Sequence, residues 1–93
     1  MTSRRVIWPS PIRMKLLSFE SIHFTSDETL DFIAHFVLET EQALLNPVIS
    51  QYYTEDHGEF QGVSRIVIRK FKVYFELIGY DAVILAIKFP RES

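Results

Sequence analysis

The chain has 93 residues, of which 47% are apolar and 24% charged, with a net charge of −2; these proportions are ordinary for a globular domain. It contains no cysteine, which excludes disulfides, thiol catalysis and cysteine metal sites and fits a reducing cytoplasm. No apolar run approaches the ~20 residues needed to cross a bilayer, and residues 1–11 lack the apolar segment of a signal peptide. We therefore expect one cytoplasmic domain over residues 1–93. The charge is uneven, with a net of −5 over residues 1–61 and +3 over residues 62–93, which hints at a charged partner or substrate.

The first elements are a strand and a helix. Residues 4–8, RRVIW, are rich in β-prone side chains and predict a strand. Ser10 and Pro11 then give a helix-start signal, because a serine can cap a helix and proline suits its first position. The apolar residues that follow at helical spacing are Ile12, Leu16 and Phe19.

A second helix begins near Thr25. Thr25 and Glu28 have the spacing of a capping box, and Asn46-Pro47 indicates where the helix stops. Its apolar stripe is expected to consist of Leu30, Ile33, Val37 and Leu44. A short link near His23 and Phe24 makes the two helices an antiparallel pair.

Residues 48–61 have no clear period and predict a loop. Three strands follow, at about residues 63–69, 71–77 and 82–89. Gly79-Tyr80-Asp81 is a plausible three-residue turn between the last two strands. Arg69-Lys70 joins the first two, although it lacks the glycine or asparagine that a tight hairpin prefers.

Alternation along these strands predicts which side chains face the core. The residues expected to point inward are Ile66, Ile68, Phe71, Val73, Phe75, Leu77, Val83, Leu85, Ile87 and Phe89. The two loops set a register in which Tyr74 lies beside both Arg65 and Ala86, while Lys72 lies beside both Val67 and Lys88. Lys72 next to Lys88 is unfavourable unless an anion or an acidic group is present. The sequence therefore predicts a basic face opposite the core.

The order of a strand, a helix pair and a three-stranded antiparallel meander resembles the RelE/ParE superfamily of toxins from type II toxin–antitoxin systems. The segments that carry the resemblance are VIW (6–8), LLNPVI (44–49), GVSRIVIRKFKVYFE (62–76) and AVILAIKFPRES (82–93). It implies an α+β fold of the order β-α-α-β-β-β, with the helix pair packed on a small, mostly antiparallel sheet.

The resemblance also implies a function. RelE-like members are ribosome-dependent endoribonucleases that cleave mRNA without a metal or other cofactor, and ParE-like members inhibit DNA gyrase. The catalytic positions carried over are Arg65, Lys72 and Arg91, while Tyr74, Lys88 and Arg69 would help bind substrate. A cognate antitoxin protein is the implied partner, and no membrane is involved.

The antitoxin surface can be placed on the second helix. A helical wheel puts Phe32 nearly opposite the apolar stripe and Phe36 at its edge, so both could form an exposed patch for the partner. Alternatively, the first helix and the 48–61 loop cover Phe32.

The basic face also has a structural interpretation. Arg65, Lys72 and Lys88 could be the solvated side of a half-covered sheet, and Tyr74 could be a cross-strand packing residue. Arg91 could be a terminal charge without a role, and His57 in EDHGE is more typical of an exposed loop histidine than of a general base or metal ligand. A non-catalytic or decayed family member that only binds a protein partner is therefore the alternative function.

Overall fold

The computed structural model describes residues 4–20, 23–45, 53–56 and 58–90. Within these ranges the elements are β1 (Arg5–Ile7), α1 (Ser10–Leu17), α2 (Ser26–Leu45), β2 (Tyr53–Thr54), β3 (Ser64–Ile68), β4 (Phe71–Ile78) and β5 (Asp81–Lys88). The strands form one sheet in the order β1-β5-β4-β3-β2. β1 runs parallel to β5 and the other neighbours are antiparallel. The fold is therefore α+β with a mixed sheet.

The described elements follow the predicted order, with one addition. β2 lies inside the stretch predicted to be loop and pairs with the start of β3, Tyr53 opposite Arg65 and Thr54 opposite Ser64. Two residues are too few to give a recognisable alternation, so the sequence could not reveal this strand. The predicted helix stop at 46–47 lies outside the described residues.

The two helices begin in different ways. Thr25 and Glu28 form the predicted capping box: the Glu28 carboxylate accepts from the Thr25 backbone N–H at 2.9 Å, and the Thr25 hydroxyl accepts from the Glu28 N–H at 3.2 Å. These hydrogen bonds lower the pKa of Glu28. At α1 the predicted cap is wrong, because Pro9 occupies the N-cap and the Ser10 hydroxyl instead accepts from Arg13 at 3.1 Å. Neither described helix combines the length and apolar character needed to cross a bilayer.

One face of the sheet is buried beneath the helices. The buried cluster consists of Ile12, Leu16, Ile33, Phe36, Leu44, Ile66, Phe71, Val73, Phe75, Ala82, Ile84 and Ile87. Phe36 of α2 and Phe71 of β4 meet near the centre, with ring centroids 4.7 Å apart. The helix layer therefore packs on the sheet through its large aromatic side chains.

The buried stripe of α2 is rotated from the predicted one. It contains Ile33 and Leu44 as expected, but Leu30 is 56% exposed and its place is taken by Phe36 and Thr40, both fully buried. Thr40 can lie in the core because its hydroxyl donates to the Phe36 carbonyl at 2.8 Å. A polar residue at the centre of the stripe concealed its true direction.

The exposed aromatic patch predicted on α2 is wrong for Phe36, which has no exposed surface. Phe32 is half-buried, and its ring lies 5.8 Å from that of Phe19 and 5.4 Å from that of Phe24. Phe19 and Phe24, in the link between the two helices, therefore cover part of the Phe32 ring, whereas the alternative interpretation assigned this cover to the first helix and the 48–61 loop. Phe36 therefore offers no surface to a partner, and Phe32 is only partly exposed.

The register of β3 and β4 agrees with the prediction. Arg65 lies opposite Tyr74 and Val67 opposite Lys72, while across β4 Tyr74 lies opposite Ala86 and Lys72 opposite Lys88. The hairpin turn is Arg69-Lys70, and both residues have positive φ, 51° and 70°. A two-residue turn with this backbone is the one that matches strand twist, so the turn forms despite unfavourable side chains.

The prediction fails in the first half of β5. Ile78 pairs with Asp81, which leaves a two-residue turn, and the register then shifts so that Tyr74 faces Ala86 and Phe75 faces Ile84. Leu85 is the extra residue of this bulge. Ala82 and Ile84 therefore point inward, whereas the residues wrongly assigned to the core are partly or largely exposed: Val83, Leu85 and, on β4, Leu77.

The bulge predicts effects of different size for two residues that alternation alone would place together in the core. Phe75→Ala should lower the free energy of unfolding by ~3–5 kcal/mol, because the side chain is fully buried. Leu85→Ala should lower it by less than ~1 kcal/mol, because 41% of Leu85 is exposed. Denaturant unfolding of both variants checks this, and equal losses would contradict the bulge.

At both hairpin turns the positive φ predicts that glycine is the more stabilising residue. Lys70→Gly should raise the free energy of unfolding by ~0.5–1 kcal/mol, because relief of the positive-φ strain exceeds the added entropy of the unfolded chain. Gly79→Ala should lower it by ~1–2 kcal/mol at φ 61°. A methyl group added there meets no atom within 4 Å, so the loss is conformational rather than steric. Thermal melts of both variants provide the measurement, and a shift of the same sign in both would be the contrary result.

Candidate nucleic-acid interface

The predicted basic face lies on the side of the sheet away from the helices. Ile66, Val73 and Ile87 point into the core, so their strand neighbours point to the opposite side. The residues brought together there are Arg65, Lys72, Tyr74, Ala86 and Lys88. We call this set the basic face.

Lys72 and Lys88 are directly opposite each other on β4 and β5. Within the described ranges neither ammonium group forms an ion pair. Lys88 lies over the ring of Phe60, 5.3 Å from its centroid, and Lys72 is exposed. Like charges in this arrangement repel, so the pair favours an anion placed between them.

Arg65 forms an ion pair with Glu55, which follows β2. Its Nη1 lies 3.0 Å from Glu55 Oε1, and the two side chains are only 25% and 14% exposed. Sequence reasoning did not assign Glu55 any role. Because β2 pairs with β3, Glu55 lies diagonally across from Arg65, and recognising the short strand would have revealed the pair.

Tyr74 is covered, although it lies on the open side of the sheet. Phe60 stacks on it with a centroid separation of 4.1 Å and an interplanar angle of 17°, which leaves Tyr74 4% exposed. Phe60 is the apolar residue in the polar stretch GEFQG. This contrast is the one sequence feature that could have indicated that its ring is buried against the sheet. The cover also explains why a tyrosine on this face can be buried.

The covering residues belong to the β2–β3 loop, of which residues 55–56 and 58–63 are described. The Glu55 N–H donates to the Val63 carbonyl at 3.0 Å, and the Gly62 N–H donates to the Glu55 carbonyl at 2.8 Å. Gly58 and Gly62 have φ of 87° and 85°, which other residues rarely adopt. The loop therefore folds back to the start of β3 and carries Phe60 over Tyr74.

Arg69 is not part of the basic face. It is on the turn, where strand alternation ends, and its guanidinium reaches α2, 2.7 Å and 3.0 Å from Glu39 Oε1. It also lies 5.3 Å from the ring centroid of Phe32. The hydrogen bond from Arg69 lowers the pKa of Glu39. Arg69 thus fastens the β3–β4 hairpin to the helix layer.

Two further residues singled out in the sequence cannot be placed relative to the basic face. Arg91 and His57 lie outside the described residues. His35 is on α2, where its Nδ1 lies 2.8 Å from the Asp31 carbonyl oxygen. In the described part of the chain no group of three histidine or acidic side chains could hold a metal ion.

The basic face combines cationic groups with aromatic rings. Lys72 and Lys88 can neutralise a phosphate, and Arg65 can bind one through paired N–H donors. Tyr74 has the kind of aromatic ring on which unpaired bases stack, although Phe60 covers that ring here. This combination is typical of a surface that binds single-stranded nucleic acid.

Three comparisons with known proteins bear on this assignment. No protein-family model matches the sequence, no curated protein matches it, and no solved structure matches the fold. What remains to indicate a function is the geometry of the basic face and the resemblance of the sequence segments.

Proposed function

We propose that this protein is a growth-inhibiting toxin of the RelE/ParE kind, which acts in the cytoplasm on ribosome-bound mRNA through the basic face and is neutralised by a cognate antitoxin. The observation that carries the proposal is the Lys72–Lys88 pair, which lies on an open sheet face without an ion pair in the described ranges. The order of a strand, two helices and an antiparallel meander supports a RelE-like fold.

The chemistry of the basic face suits phosphate. Lys72 and Lys88 stand where a phosphate can lie between two ammonium groups, and Arg65 lies two β3–β4 residue pairs away on the same face. Cations aimed at a scissile phosphate stabilise the negative charge that develops in the transition state. Lys72 and Arg65 are the proposed catalytic residues, together with Arg91, while Lys88 and Tyr74 bind the substrate.

A second candidate is a binding module without catalysis. Glu55 neutralises Arg65 and Phe60 covers Tyr74, so two groups of the basic face already have partners within the chain. A protein that only binds an antitoxin-like partner has no need to expose these groups. This observation favours a binding module as the second candidate function, and expression experiments distinguish it from a toxin.

Induced expression of the wild type, with and without co-expression of a candidate antitoxin, tests the proposal. Growth should stop without the antitoxin, and primer extension should show codon-phased cuts in mRNA. Lys72→Ala and Arg65→Ala should relieve the growth arrest, because loss of one group that stabilises transition-state charge lowers the rate ~10²–10³-fold. Lys70→Gly removes the same charge from the neighbouring turn and should remain toxic.

The other outcomes are equally specific. Intact mRNA with altered DNA supercoiling would identify gyrase as the target instead of the ribosome. If the wild type is expressed and changes neither growth, mRNA nor supercoiling, the toxin proposal is wrong and the binding module replaces it. Circular dichroism of each variant establishes that a loss of toxicity is not a loss of folding.

A further inference from the structure

Two side chains of the β2–β3 loop contact the groups of the basic face that would bind a nucleotide. Phe60 lies on Tyr74 and Glu55 lies on Arg65. One is an aromatic ring and the other an anion, the two chemical parts that nucleic acid presents as base and phosphate. The loop therefore resembles a ligand of the basic face in both chemistry and placement.

The aromatic contact has the geometry of base stacking. The rings of Phe60 and Tyr74 are nearly parallel, at 17°, and their centroids are 4.1 Å apart. Proteins bind unpaired bases by stacking them on aromatic side chains in this manner. Since Tyr74 is 4% exposed, no base can stack on its outer face while Phe60 remains in place.

The ionic contact has the chemistry of phosphate binding. The Glu55 carboxylate lies 3.0 Å from Arg65 Nη1, and guanidinium groups bind carboxylate and phosphate oxygens alike. An approaching phosphate meets repulsion from Glu55 until the ion pair opens. Lys72, by contrast, is exposed and can make the first contact with the backbone of a nucleic acid.

We infer that Glu55 and Phe60 are a built-in mimic of a nucleotide, and that single-stranded RNA binds the basic face by displacing them. The base replaces Phe60 on Tyr74, and the phosphate replaces Glu55 at Arg65. Bases in a duplex are already paired and stacked, so an unpaired nucleotide is the form that can make this exchange. The inference rests on the proposed function, because it requires the basic face to bind RNA.

Direct binding of RNA to the purified protein tests the exchange without any assay of cleavage. The probe is a fluorescein-labelled single-stranded oligoribonucleotide, and the readout is fluorescence anisotropy. Phe60→Ala should tighten binding about 2- to 10-fold, since the ligand no longer competes with an aromatic stack. Phe60→Tyr retains the ring and should bind as the wild type does. The same strand annealed to its complement should bind more weakly to every variant.

Glu55→Gln gives an independent test that does not depend on the Phe60 variants folding. It should also tighten binding, because it weakens the ion pair that a phosphate has to open. Glu59→Gln is the matched control: Glu59 is an exposed acid of the same loop, and its loss changes the net charge equally. A gain with Glu55→Gln that exceeds the gain with Glu59→Gln supports the exchange.

The contrary results are distinguishable from failure of the proposed function. In one outcome, Lys72→Ala weakens RNA binding while Phe60→Ala and Glu55→Gln bind no more tightly than the wild type. In that case the basic face binds RNA, but the inference that RNA displaces Glu55 and Phe60 is wrong. If Phe60→Ala binds more weakly, Phe60 is part of the binding surface, which also overturns the inference. If no variant binds RNA, both the mimic and the proposed RNA target fail.

Discussion

The position of β4 between β3 and β5 is the constraint on which the rest of the molecule depends. Phe71, Val73 and Phe75 of this strand are completely buried, so alternation directs Lys72 and Tyr74 to the other side. A slip of one residue would expose the three apolar side chains, each worth ~1.5–3 kcal/mol of burial, and would turn Lys72 towards the core. The packing beneath the helices therefore fixes the composition of the basic face.

The separation of a buried face from an open face explains how the sheet tolerates the like-charged pair Lys72 and Lys88. The repulsion between Lys72 and Lys88 is of the order of 0.2–1 kcal/mol, which is small beside the burial of the aromatic core. An anion at the pair would recover that energy on binding. The covered part of the face differs, because Arg65 and Tyr74 already have partners. Affinity for a ligand there is set by the difference between old and new contacts rather than by the new contacts alone.

The features that the sequence predicts correctly are those with a clear periodic or capping pattern. Strict alternation in β3 and β4, and the capping box of α2, gave the register, the helix start and the basic face. Residues 82–87 are all apolar and contain no alternation, so the inward set depended on an assumed turn length. It was wrong for Val83 and Leu85 but right for Ile87. Thr40 was not expected in the buried stripe because it is polar, but a backbone carbonyl accepts the hydrogen bond of its hydroxyl. Glu55 and Phe60 reach the site through a strand of two residues, which carries no periodic signal.

The extra residue at Leu85 divides β5 into two segments with opposite alternation. Even-numbered residues, Ala82 and Ile84, face the core before it, and the odd-numbered Ile87 faces the core after it. From Asp81 to Ile84 the pairing follows the Gly79-Tyr80 turn, and from Ala86 to Lys88 it follows the first half of β4. A residue gained or lost at the turn can be compensated at this irregularity before it displaces Lys88. The hairpin end and the Lys88 end of β5 are thus positioned by different contacts, so a strain introduced at the turn reaches Lys88 only through the irregularity at Leu85.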